Sequence, residues 1–173
     1  MRRLISIVAF TGFAVSFVIH AATFWGVDLI SGHLWVWALH IGIFPLGGLL
    51  FFSLRDLFPM WEGGQVWKKV YASMPTWLRY AAYAFFAYAL INFLLFFLLS
   101  EGGSPDFRDG KFVLHDHGKI IRELTEEEYR LQMAYVLRFF SGHWMFFYLT
   151  FGAHFWFPKP KVDSLPPPDS KLG

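Results

Sequence analysis

Four stretches of the chain read as unbroken apolar runs: residues 4–27, 34–54, 80–100 and 139–157. None of them holds Asp, Glu, Lys or Arg. Each is close to the ~20 mostly apolar residues that a membrane-crossing helix needs. Between the third and fourth runs the period changes. In "DGKFVLHDHGKIIREL", apolar and polar residues alternate on both sides of Asp116-His117-Gly118. Period-two alternation around such a turn predicts a β-hairpin. A two-stranded hairpin is marginal in water, so this one is expected to lean on the helices or on a partner. Thr125 and Glu128 then form a capping box, with Glu126 and Glu127 between them. This predicts a helix starting at Glu126; no breaker intervenes before Ser141 and Gly142, and the helix is expected to run on to Phe157. In "QVWKKVYASM", Val66, Val70 and Met74 share one helical face beside Trp67, with Lys68 and Lys69 elsewhere. That pattern suits a short helix lying on a membrane surface.

These elements predict an all-α integral membrane protein, a four-transmembrane-helix bundle. A small extracytoplasmic β-hairpin segment, 101–125, stands between the third and fourth spans. Residues 1–157 form the transmembrane domain, and 158–173 a proline-rich, disordered tail. Composition agrees. Of the 173 residues, 55% are hydrophobic and 16% charged, against roughly 25% charged in soluble proteins. The net charge of +2 gives no reason to expect a nucleic-acid partner. The absence of cysteine excludes disulfides, thiolate metal sites, iron–sulfur clusters, covalent c-type haem and a cysteine nucleophile.

Basic residues predict the orientation. Arg2 and Arg3 precede the first span. Arg55, Lys68, Lys69 and Arg79 lie between the second and third, and Lys159, Lys161 and Lys171 lie in the tail. Both termini are therefore expected in the cytoplasm, in a plasma (inner) membrane. The first run is too long for a signal peptide and has His20 near the only candidate cleavage site, so it reads as a retained helix.

Polar residues at membrane depth are where function concentrates. His20, His40 and His143 each lie five or six residues inside the outer ends of their spans, about 9 Å deep at 1.5 Å per residue. Asn92 lies only slightly deeper. Gly12, Ser16 and His20 share a helical face, as do Phe85, Tyr88 and Asn92, and as do His143, Phe147, Thr150 and His154. The preferred reading is a hydrogen-bonded polar layer of His20, His40, His143, Asn92, Tyr88 and Ser16 that fixes helix register. The sharper alternative is a cofactor site, in which His20, His40 and His143 bind haem b or a zinc or copper ion. His154 is expected to meet water or headgroups, and Arg138 to snorkel to phosphates. Pro45 should free a carbonyl near Ile41. His115-Asp116-His117 reads as turn chemistry rather than a metal pair.

No nucleophile–base constellation, phosphate-binding glycine loop or HExxH motif occurs, which argues against an enzyme. The leading expectation is a structural or accessory membrane protein. It would assemble with other membrane proteins, meeting a partner through residues 101–130 and the lipid bilayer elsewhere. The alternative is a haem- or metal-binding electron-transfer subunit.

Overall fold

A computed structural model describes residues 1–27, 29–30, 33–54, 70–71 and 74–157. The chain is mostly helical. Helix α1 runs Arg2–Ala22 and closes in a 3-10 turn, Thr23–Trp25. Helix α2, Trp37–Leu54, follows a 3-10 turn at Leu34–Val36 and continues through Pro45. Helix α3 spans Thr76–Leu99, with Pro75 at its cap. It starts at Thr76 rather than at 80. Helix α4 covers Glu126–Trp156. Its start is the predicted capping box: the Thr125 hydroxyl accepts from the Glu128 N–H, and the Glu128 carboxylate accepts from the Thr125 N–H. The expected surface helix falls largely outside the described residues, although Val70 and Met74 are buried. The 158–173 tail lies wholly outside them.

Three helices are long and apolar enough to cross a membrane: Arg2–Trp25, Leu34–Leu54 and Thr76–Leu99. Their outward faces are apolar, with Leu4, Val18, Phe52, Leu94 and Leu98 all more than half exposed. A surface of that kind is at home in hydrocarbon rather than in water. Trp25, Trp35, Trp77 and Trp156, at the helix ends, are exposed as interfacial anchors are.

The three apolar helices pack around α4. Its contacts with α1 run end to end and antiparallel. Arg2 donates to the carbonyls of His154 (3.0 Å) and Phe157 (3.2 Å). Ser6 donates to the Gly152 carbonyl at 2.7 Å. Gly12 lies against the Tyr148 ring, His20 meets Ser141, and Arg138 donates to the Thr23 carbonyl at 2.8 Å and its hydroxyl at 3.1 Å. Each helix thus has its C-terminal carbonyls, the negative end of its dipole, capped by an arginine of the other. The Arg138 guanidinium also lies over the Phe24 ring at 4.4 Å. Glycine, alanine and serine at Ser6, Ala9, Gly12 and Ser16 are buried and let the backbones approach.

The segment between α3 and α4 is a three-stranded antiparallel sheet, ordered β1-β2-β3: Ser104–Arg108, Lys111–Asp116 and Lys119–Glu123. The predicted hairpin is β2–β3, and β1 is an addition to it. Both connections are two residues long. Asp109-Gly110 and His117-Gly118 all have φ between 47° and 87°, as a type I′ turn requires. A register shift at Leu114/His115 places Val113 and Leu114 together in the interior, both almost wholly buried. The sheet leans on α4, where Phe112 stacks on Tyr129 at 4.7 Å.

Arg122 ties the sheet to the helices. It donates to Glu101 at 3.0 and 3.1 Å and to Glu128 at 2.9 Å. The Glu101 carboxyl is held below the usual carboxylate range by Arg122, and that of Glu128 by the Thr125 amide and then by Arg122. A depressed folded-state pKa gives stabilisation that is present above the usual range and lost as pH falls through the lower folded values. The protection of the β3 amides, taken relative to intrinsic exchange at each pH, should therefore be high at neutral pH and fall below the usual carboxylate range. Arg122→Gln should exchange faster at neutral pH, with a smaller acid step. Identical neutral exchange in the variant would show that Arg122 does not hold the sheet.

Candidate functional site

The polar residues predicted at one depth separate into three sets. His20 is the centre of the first. Ser141 gives its only proton to the Leu137 carbonyl at 2.7 Å, so its oxygen accepts from His20 Nδ1–H at 2.8 Å. His20 Nε2 is then an acceptor, and the Tyr88 hydroxyl donates to it at 2.6 Å. The result is a directed chain, Tyr88 to His20 to Ser141 to Leu137, that joins α3, α1 and α4. Asn92 sits behind it, donating to the Tyr88 carbonyl at 3.0 Å and lying against Gly142.

His40 belongs to a second set. Trp144 Nε1–H donates to His40 Nδ1 at 3.1 Å, and the imidazole is ringed by Trp37, Phe44 and Phe140. His143 forms the third. Its Nδ1–H donates to the Phe139 carbonyl of its own helix at 2.8 Å, beside the rings of Phe93 and Phe139. The expected convergence of His20, His40 and His143 is therefore not assembled. Among the described residues, no three His, Cys, Asp or Glu side chains gather closely enough to hold a metal ion. Both His20 nitrogens are engaged by protein hydroxyls, which leaves no lone pair for iron, zinc or copper. Ser16, expected in the layer, is buried with no hydrogen-bond partner for its hydroxyl among the described residues.

His154 also departs from expectation. It is buried, and its Nε2 lies 3.0 Å from the Ser53 hydroxyl. Tyr148, which the sequence did not mark, donates to the Leu39 carbonyl at 2.7 Å, two residues before the carbonyl expected to be freed by Pro45.

Joined in this way, the His20 set holds three helices in register. Beside the His20–Tyr88 pair lies an open groove of about 500 Å³ between α1 and α3. Its walls include Phe17, Phe24, Phe85 and Met145, with His20 and Tyr88 at the back. The volume falls within the range of about 300–1,000 Å³ typical of small-molecule sites. The chain matches no protein-family model, no curated protein and no solved structure.

Proposed function

We propose that this chain is a four-span integral membrane protein that acts as a structural or accessory component by assembling with other membrane proteins. The fourth span is the part of α4 that lies beside α1. It is less apolar than the others, carrying His143, Tyr148, Thr150 and His154. It is also buried by the other three helices, so it meets little lipid. If α1 crosses the bilayer, a helix pinned to it from Arg2 to Arg138 crosses with it. The distribution of lysine and arginine supports cytoplasmic termini, with the sheet on the opposite side.

One observation carries the functional reading. The His20 and His40 imidazoles, together with the Tyr88, Tyr148 and Ser141 hydroxyls, are engaged in holding helices together, and His143 is satisfied within its own helix. The ion pairs among the described residues lie instead on the sheet and the first turns of α4. The sheet also presents Phe107, Ile120 and Ile121 half-exposed. An internally paired helical body with an apolar-and-charged outer module is built to dock. A photo-crosslinking amino acid at Phe107 or Ile120, in cells, should trap one discrete membrane-protein adduct. Crosslinkers at Leu98 should trap chiefly lipid. No adduct at any sheet position, with the chain monomeric in mild detergent, would overturn the reading.

A further inference from the structure

The groove between α1 and α3 has a chemistry that the assembly role does not use. We propose that it binds one acyl chain of an anionic phospholipid, with Arg138 receiving the phosphate. The inference rests on the membrane reading above.

The groove's interior selects hydrocarbon. Apart from His20 and Tyr88 its walls are apolar. Those two direct their polar atoms at each other across 2.6 Å, and the Tyr88 proton is already given to His20. A polar head placed among Phe17, Ala21, Ala84, Phe85 and Met145 would find no donor. A saturated or unsaturated chain would find aromatic and aliphatic walls.

The headgroup preference comes from the groove's end. Phe24 forms part of the wall, and the Arg138 guanidinium lies over its ring at 4.4 Å. Trp25, also lining the groove, is 78% exposed, as expected of a residue at headgroup level. Arg138 is only partly buried. It uses Nε and one terminal nitrogen on Thr23, and a guanidinium carries five N–H donors. Among the described residues no carboxylate pairs with it. A cation with no carboxylate partner among the described residues, one ring away from an apolar groove, matches the order of charge and chain in a phospholipid. A lipid with net negative charge neutralises it; a zwitterionic lipid brings a cation of its own.

The test uses the full chain in nanodiscs containing equal amounts of phosphatidylglycerol and phosphatidylcholine. Retained lipid is counted by mass spectrometry after transfer to detergent. The expected result is about one retained phosphatidylglycerol per chain, enriched roughly tenfold over phosphatidylcholine, whose own ammonium repels the Arg138 guanidinium and offsets its phosphate. Arg138→Gln should abolish the enrichment, and Arg138→Lys should keep most of it. Ala84→Trp, which fills the groove wall away from Arg138, should lower retention of both lipids. Equal retention of the two lipids by the unaltered chain overturns the inference without any variant. So does enrichment that survives Arg138→Gln. Carbonate extraction separates the two ideas. A chain that stays in the membrane but shows no lipid preference sinks only the lipid site; a chain released by carbonate sinks the membrane reading and this site with it.

Discussion

Trp144→Ala should lower stability by roughly 3–5 kcal/mol, the range for emptying a tryptophan-sized space in a packed interior. Trp144 is 1% exposed and among the largest fully buried side chains of the chain. Its ring lies 6.3 Å from those of Trp37, His40 and Phe140, so it fills the junction of α2 and α4. Alanine leaves that junction hollow and removes the Nε1–H donor to His40 as well. In detergent the thermal midpoint should fall by roughly 10 °C, at about 2–4 °C per kcal/mol for a chain of this size. Trp144→Phe keeps most of the volume and loses only the hydrogen bond, so its drop should be a fraction of that. Equal drops for the two variants would mean that the hydrogen bond, not the packing, joins α2 to α4.

Gly12→Val should come next in effect, separating α1 from α4 at a cost of about 1–3 kcal/mol or more, the usual penalty for overpacking. A Cβ on Gly12 would lie 2.6 Å from two atoms of the Tyr148 ring. The ring has nowhere to go. Its hydroxyl donates to the Leu39 carbonyl and sits 2.6 Å from where a Cβ on Gly42 would stand. One tyrosine is thus threaded between two glycines on two different helices. The thermal midpoint in detergent is the readout: it should fall for Gly12→Val and fall less for Gly12→Ala, whose single methyl asks less of the ring. An unchanged midpoint for Gly12→Val would show that the ring yields without cost.

The local signals in the sequence carried far. The capping box at Thr125 and Glu128 needs only residues three apart, and the helix starts where it says. The turn at His117-Gly118 was readable for the same reason. The first strand was not read, although Asp109-Gly110 is among the strongest two-residue hairpin signals. Ser104–Arg108 carries Pro105 and the charges Asp106 and Arg108, the kind of residues that protect an edge strand. The polar layer was half legible. Depth alone brought His20 towards Tyr88 and Asn92. It failed on α4, where a stripe through His143 and His154 was taken as the inward face. Ser141, two residues from His143, points about 200° away from it. The face that meets α1 is Ser141, Tyr148 and Gly152, a small-residue face like that of Gly12 and Ser16 on α1. Applied to both partners, the small-residue rule would have found Ser141. Tyr148 and Arg138 had no such signal, because each meets a backbone carbonyl, which sequence does not display.

The paired arginines also bear on how the protein is made. Helix α1 is synthesised first, and its main partner is the last helix of the described chain. Arg138 and Thr23 stand 115 residues apart, and Arg2 and Phe157 stand 155 apart. Until α4 emerges, the first helix has no Ser141 for His20 and no arginine for its final carbonyls. The body therefore closes only after synthesis has passed Phe157, and until then the half-made chain holds its most polar face uncovered.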